Sequence, residues 1–291
     1  MSKVGIVILN YNDFETTKNY IKEIKDYSSI NKIVVVDNNS NDNSYEKLKE
    51  YENNKIIVIN SNENKGYSYG NNVGIKELDK YDIDYIVISN PDITVSNESI
   101  KQLKKDLDEN DNIALVAPVI NQNEEIIRGW KLPKYSDELL SNINYFQRKT
   151  KQKLLYDESR YLSKLTRVEV VSGCFFMIRK DILKSIGNFD EGTFLYYEEN
   201  ILGQKLKTID KKTYIDNEVT VKHNLSVSVD KSVKKINKYK LLKDSQKYYV
   251  KYYLKVTGLG ILLLRFLYRI SLIVAYIGNF FKKKRSKKWK I

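Results

Sequence analysis

Five short apolar runs dominate the first 119 residues: VGIVIL (4–9), KIVVVD (32–37), KIIVIN (55–60), YIVIS (85–89) and IALVAPV (113–119). Their apolar stretches show no alternation with polar residues, so each predicts a strand buried on both faces. Helical spacing fills the intervals. ETTKNYIKEIKDY (15–27) brings Tyr20, Ile21, Ile24 and Tyr27 to one side. SYEKLKEYE (44–52), the segment from Gly70 to Leu78 and SIKQLKKDLDE (99–109) supply the other connections. Continuous apolar strands separated by helices predict an α/β fold, a mostly parallel sheet flanked by helices. Such sheets bind ligands outside the carboxyl ends of their strands. Asn10, Asp37, Asn62 and Asp92 all fall just past a strand end, so they should share one rim.

The second half is less regular. Residues 120–165 are rich in charge and Asn, with Trp130 beside Gly129 and Pro133, and are expected to form an insertion or lid over the sheet edge. RVEVVSGCFFMIRK (167–180) returns to strand character. DILKSIGNFDE (181–191) predicts a short helix ended by Gly187, and FLYYEENILGQKLKTI (194–209) a helix opening with Glu198 and Glu199. VTVKHNLSVSV (219–229) alternates like a strand and carries the single histidine, His223.

Composition narrows the class. A chain of 291 residues with 42% hydrophobic content is globular and can bury a large core. One cysteine excludes a disulfide framework and a Cys-rich metal site, which points to a reducing, cytoplasmic setting. Cys174 sits in the apolar run VVSGCFFMI and is expected to be a buried small hydrophobe. The start, MSKVGIVILN, lacks the features of a signal peptide and enters a strand directly.

The net charge of +13 is localised. Residues 231–291 hold 18 Lys and Arg against one acid, Asp244, whereas residues 1–230 are mildly acidic. A boundary near 230 is expected, with a domain over 1–230 and a basic tail over 231–291. Within the tail, GLGILLLRFLYRISLIVAYIGNFF (258–281) could cross a bilayer at about 1.5 Å per residue. Arg265 and Arg269 stand four apart on one face, however, and a central Arg costs about 2.5–3.5 kcal/mol on insertion scales. KYYVKYYLK (247–255) and KKKRSKKWK (282–290) flank the apolar run with charge and aromatics suited to an anionic surface. An interfacial, monotopic helix on the inner face of the membrane is the expectation. Nucleic acid is disfavoured as a partner, because it would leave the apolar core of the tail unused.

Candidate chemistry centres on SNPDITV (89–95). Pro91 ends a strand in a tight turn, which explains the backbone but not the acid at Asp92. Two acids on one rim, Asp37 and Asp92, are costly unless they bond a ligand or hold a cation. No G-x-x-x-x-G-K-[ST] loop occurs, and Gly66, Gly70 and Gly74 do not form a dinucleotide fingerprint. His223 has no nucleophile beside it in sequence, and its pattern alone suggests a structural histidine.

Taken in order, VILNYN (7–12), VDNNSNDNS (36–44), NENKGYSYGNNVGI (62–75), SNPDITV, VSGCFFMIRKDILKSIGNFDEGTFLYYEEN (171–200) and the strand around His223 resemble the family 2 glycosyltransferases of GT-A fold. The likeness covers roughly residues 3–228. It is nearest the single-addition transferases of bacterial surface polysaccharides, including rhamnosyltransferase-like members. It implies a nucleotide-diphosphate sugar donor and a divalent metal, Mn²⁺ or Mg²⁺, on its diphosphate. Asn90-Pro91-Asp92 stands where the family has Asp-x-Asp, which implies Asp92 as metal ligand, with Asn90 departing from the paired acid. His223 matches a histidine near metal and diphosphate. Asn10 and Tyr11 match nucleoside contacts, and Asp37 the acid that bonds the base. Gly66, Asn71 and Asn72 match a loop closing over it. Glu199, with Glu198 before it, stands at the family's catalytic base, which takes the acceptor proton during inverting transfer. The acceptor implied is lipid-linked or polysaccharide. Two alternatives stay open on the sequence: a sugar nucleotidyltransferase, and a non-catalytic membrane or nucleic-acid adaptor on a degenerate scaffold.

Overall fold

The computed structural model describes residues 2–224 and 235–288. Strands β1 (Val4–Asn10), β2 (Lys32–Asp37), β3 (Ile56–Asn60) and β4 (Tyr85–Ser89) form where the apolar runs lie. Helices α1 (Phe14–Ile24), α2 (Ser44–Lys49) and α3 (Tyr67–Leu78) connect them. Then follow β5 (Ile93–Thr94), α4 (Asn97–Asp108), β6 (Ile113–Gln122) and β7 (Glu125–Ile127). The sheet order is β3-β2-β1-β4 and then, beyond β4, β9 (Phe175–Arg179), β6, β10 (Lys212–His223) and β5. β7 pairs with β6, and β8 (Leu165–Val168) with β10.

The β3-β2-β1-β4 half is wholly parallel, as the apolar runs predict. The other half is mixed: β9 runs antiparallel to both β4 and β6, while β6 and β10 are parallel. The strand character of 167–180 resolves into two strands with different partners, the end of β8 and the whole of β9. Apolar continuity reports burial on both faces but carries no information on direction. The direction of β9 matters for the site. Phe175 pairs with Ser89, so the amino end of β9 meets the carboxyl ends of the parallel strands at one rim.

Both faces are covered, and alternate residues of each strand divide between two cores. Val4, Ile6, Ile8, Ile33 and Val35 pack with Tyr20, Ile21 and Ile24 of α1, Leu48 of α2 and Leu103 of α4. Val7, Val34, Val36, Ile86 and Ile88 pack with Ile75 and Leu78 of α3 on the opposite face. That second core also takes Leu183 of α7 (Lys180–Ser185) and Leu202 and Leu206 of α8 (Glu198–Thr208). Burying each such side chain contributes about 1.5–3 kcal/mol, which fixes the strand ends and therefore the rim.

Residues 120–165 are more ordered than a lid. They form β7, α5 (Tyr135–Leu140), α6 (Asn144–Leu154) and a 3₁₀ turn over Glu158–Leu162. Trp130 bridges to both Leu155 and Val170. Helix α8 begins at Glu198, four residues later than the pattern at 194–209 predicts, because Tyr196 and Tyr197 are left-handed at φ 73° and 71°. Farther along the chain, α9 (Lys235–Tyr252) and α10 (Leu259–Lys288) pack together. Tyr249 and Val250 of α9 and Leu264 of α10 enclose Ile201 of α8. The expected boundary near 230 and the end of the predicted strand, 225–229, lie outside the described residues.

Candidate functional site

Asn10 and Asp37 end β1 and β2 as registered neighbours. Both are fully buried. Asn10 donates its Nδ2 to Asp37 Oδ2 at 2.7 Å, and the Ser40 amide donates to Asp37 Oδ1 at 2.8 Å. Thr17 Oγ1 donates to Asn10 Oδ1 at 2.7 Å, so the amide cannot rotate. The Asp37 carboxylate thereby shapes the rim by holding Asn10 and the 38–43 loop. Tyr11, next in the chain, is half-buried beside this cluster.

Gly66 precedes α3 with φ 103°, and a Cβ there would lie 2.0 Å from Phe194 O. Tyr67 N donates to that same carbonyl at 2.9 Å. Asn71 and Asn72 lie on the second turn of α3, not on a loop as the resemblance implied. Asn71 is fully buried and returns its Nδ2 to Tyr67 O at 3.0 Å. Asn72 bonds Phe189 through both ends of its amide and also donates to Glu191 Oε1 at 2.7 Å. Asn72 thus ties α3 to the chain segment that leads to α8.

Asp92 and His223 are 131 positions apart in sequence, yet meet across the β5–β10 pairing, where His223 is registered with Ile93. Asp92 Oδ1 lies 3.2 Å from His223 Nε2, and both side chains are nearly buried. His223 Nδ1 is 2.8 Å from Gln122 Oε1. In the tautomer whose Nδ1–H donates to Gln122, Nε2 presents a lone pair to the carboxylate. Two acceptors facing each other are stable only with a proton or cation between them. One oxygen and one nitrogen donor, with the imidazole oriented from behind, suit a divalent metal whose other ligands come from substrate. Among the described residues no set of three or more His, Cys, Asp or Glu forms a self-sufficient metal site. Asn90, partly exposed at the same turn, bonds through its backbone N–H to Cys174 O at 2.8 Å.

That last bond joins the turn to a second acidic pair. Residues 172–174 lead into β9, and Gly173 N donates to Glu199 Oε1 at 3.2 Å. Tyr67 OH donates to Gly173 O at 2.7 Å. Glu198 and Glu199 open α8 beneath Tyr67, Gly173 and Phe189. Burial raises both carboxyls above the usual range, and the Glu199 charge raises Glu198 further. Backbone N–H groups, including that of Gly173, favour the charged form of Glu199. The Gly173 N–H thus favours charge on Glu199, and that charge disfavours a second one on Glu198. Cys174, with its thiol pushed up to about 12 by burial, is the inert hydrophobe that the sequence predicts.

The backbone entering α8 is under strain. Two consecutive tyrosines in the left-handed region cost about 1–3 kcal/mol each, so neighbouring contacts must hold them there. Tyr197 OH donates to the buried Glu138 of α5 at 2.6 Å. Trp130 Nε1 donates to Asn200 Oδ1 at 2.9 Å on the first turn of α8. Sequence reasoning missed Ser40, Gln122, Glu138 and Gly173. Ser40 lies in the Asn-rich run after β2, which gave a signal. Gln122 acquires its part only through the β6–β10 register, where Lys222 opposes Asn121.

A glycosyl transferase family 2 model matches residues 5–187. The low-salt glycan biosynthesis hexosyltransferase Agl10 of Haloferax volcanii is 30% identical over 200 residues, which are 68% of this chain and 60% of that protein. The dTDP-rhamnosyl transferase RfbF of Shigella flexneri is 26% identical over 197 residues, 67% of this chain and 60% of that protein. The aligned region thus spans about 60% of the length of each of these relatives. Among solved structures, the mannosyltransferase PcManGT of Pyrobaculum calidifontis, in complex with GDP-Man and Mn²⁺, matches with a TM-score of 0.58 at 12% identity, over 94% of this chain and 73% of that one. GalNAc-T7 with UDP, GalNAc and Mn²⁺ matches with a TM-score of 0.60 at 16% identity, over 77% of this chain and 44% of that one. At these identities the structural likeness shows the fold, which is GT-A.

Proposed function

The chain belongs to glycosyl transferase family 2, and from that membership we propose that it is an inverting, metal-dependent transferase moving a sugar from a nucleotide-diphosphate sugar to a lipid-linked or polysaccharide acceptor. The observation that carries this reading is the convergence of two separate acidic groups on one rim. Asp92 with His223 forms one, and Glu198 with Glu199 forms the other, joined through residues 172–174. A metal ligand pair beside a protected carboxylate is what transfer from a diphosphate leaving group needs.

Asp92 and His223 would hold the divalent ion, Mn²⁺ or Mg²⁺, which when bound neutralises charge on the departing diphosphate. Asn90 stands at the same turn as a neutral donor. The nucleoside end falls to Tyr11 and the loop fixed by Asp37, with Gly66 just before α3 and Asn71 on its second turn bracketing it. Asn10, both ends of its amide bonded, braces that loop. Asn72, with both ends of its amide already bonded, acts as a brace and not as a nucleotide contact. Glu199 takes the proton of the acceptor hydroxyl as that oxygen attacks the anomeric carbon. Attack from the face opposite the diphosphate inverts the configuration. Glu198 stays protonated and keeps a second charge out of the crevice.

The exposed face of α10 supports a peripheral membrane attachment for residues 231–291. Leu259, Leu262, Leu263, Phe266, Ile270 and Ile273 are exposed at helical spacing, a continuous apolar arc. Arg265 and Arg269 lie exposed along one edge of it, as an interfacial helix requires. The stretch Leu259–Tyr276 is also apolar enough to cross a membrane by length and composition.

The decisive experiment is a thermal-shift screen of nucleotide-sugars with Mn²⁺ or Mg²⁺, followed by transfer with the stabilising donor. Metal-dependent stabilisation by one donor class, and inverted product, would support the assignment. Stabilisation by none of them, or product of retained configuration, would overturn it.

A further inference from the structure

The segment from Asp190 to Tyr197 delivers Glu198 and Glu199, and it is gripped by α9 and the residue just after it, Tyr253. Ser245 Oγ of α9 donates to Leu195 O at 2.8 Å. Tyr248 OH donates to Asp190 Oδ1 at 3.0 Å, and Tyr253 OH bonds the same carboxylate. The Tyr248 ring lies so close to Gly192 that a Cβ there would fall 2.0 Å from its Cζ. Tyr249 packs on Tyr197 with ring centroids 5.5 Å apart.

The deepest contact is polar. Glu138 Oε2 accepts from Tyr197 OH at 2.6 Å and from Gln246 Nε2 at 2.6 Å. Glu138 and Gln246 are 2% and 1% exposed. Gln246 Nε2 also reaches Ser141 Oγ at 2.7 Å, and its Oε1 accepts from Asn142 Nδ2 and Lys243 Nζ. A buried network of this kind is rigid when its groups are bonded and costly when broken. It is also the contact that holds a strained residue, Tyr197, one position before the acidic pair. Strained backbone persists only where the surroundings over-determine it.

We propose that Glu138 and Gln246 are positioning residues: through Tyr197 they lock the left-handed turn that aims Glu199, so that α9 sets the rate of transfer without touching donor or acceptor. This rests on the proposed base role of Glu199. Phe194 of the same segment is held separately, by Gly66 and Tyr67 at the proposed nucleotide end. Loss of the α9 clasp should therefore spare donor binding.

The test uses the full chain with Glu138→Leu, which removes the shared acceptor, and Glu138→Gln, whose amide oxygen can still accept from both donors. Tyr197→Phe removes a single hydroxyl and serves if Glu138→Leu does not fold. Amide hydrogen exchange over 194–199, kcat and donor KM are measured together. Glu138→Leu or Tyr197→Phe should raise exchange and lower kcat about tenfold or more, with donor KM within about twofold. Glu138→Gln should restore both. Unchanged kcat and exchange in the disruptive variants would overturn the proposal, as would equal damage in Glu138→Gln. If the unaltered chain transfers no sugar from any donor, the functional reading fails while exchange still decides whether the clasp exists.

Discussion

Asp92 Oδ1 stands 3.2 Å from His223 Nε2 across a two-residue antiparallel pairing, with Gln122 behind the imidazole. The contact joins a turn after the fourth strand to the end of the last one. If this pair holds the metal, Asp92→Asn and His223→Gln should each reduce Mn²⁺-dependent stabilisation by donor at least tenfold in apparent affinity. Thermal shift titrated with Mn²⁺ at fixed donor measures this. Asn90→Asp should tighten the metal by adding an anionic oxygen. Wild-type Mn²⁺ dependence in Asp92→Asn would remove it from the site.

Glu199→Gln keeps shape and should leave donor affinity intact while lowering transfer about 10²-fold or more. The pH profile separates the two acids. Burial raises Glu199, so the acid limb of kcat should lie above the usual carboxylate range, with activity rising as Glu199 ionises. With Glu198 holding its proton, as proposed, Glu198→Gln should leave the limb in place. A downward shift of the limb in Glu198→Gln would mean that Glu198 carries charge there.

The same raised values bear on stability. Folded Glu198 and Glu199 bind protons more tightly than the unfolded chain does. Their contribution is therefore fully present below the ordinary carboxylate pKa and is lost as pH rises through the folded values. Glu198→Gln should lessen that loss, raising the thermal midpoint at neutral pH relative to its value near pH 4. A midpoint difference identical to wild type at both pH values would contradict it.

Gly66→Ala should be poorly tolerated. Its φ of 103° lies in a region that side chains avoid, and its Cβ would meet the Phe194 carbonyl. The backbone penalty alone is about 1–3 kcal/mol, and the clash also pushes apart α3 and the segment carrying the acidic pair. Unfolding in urea should show at least that loss, together with weaker donor binding. Wild-type stability would mean that this contact yields easily.

On membranes, the expected behaviour follows from two different forces. Seven basic residues lie between Lys282 and Lys290, and each contributes about 1 kcal/mol near an anionic surface. Salt screens that attraction but not burial of Leu262, Leu263, Phe266 and Ile273. High salt should release the protein from anionic vesicles only partly, and alkaline carbonate should extract it. Phe266→Asp should weaken vesicle binding about tenfold or more without lowering thermal stability, because Phe266 is exposed. Full resistance to carbonate, with the C-terminus labelled on the far side, would show a spanning helix.

Local pattern carried much of this protein. The unbroken apolar runs placed β1 to β4 and β6, since a strand covered on both faces admits few polar residues. Strand ends then located Asn10, Asp37 and Asp92 on one rim, because parallel strands share a carboxyl edge. Clustered charge and apolar spacing marked the basic C-terminal stretch. The sequence did not encode the direction of β9, because burial of a short strand is the same in either direction. That direction brings residues 172–174 to the rim and links Asn90 to Glu199. Nor could spacing pair His223 with Asp92 and Gln122, a meeting that depends on the registers of β10 with β5 and β6. The start of α8 at Glu198 was also decided by tertiary structure: two tyrosines accept left-handed backbone only because Glu138, Gln246 and Tyr249 hold the second in place. The contacts of Tyr197 with Glu138 and Tyr249 join residues more than fifty positions apart, beyond the reach of any local period.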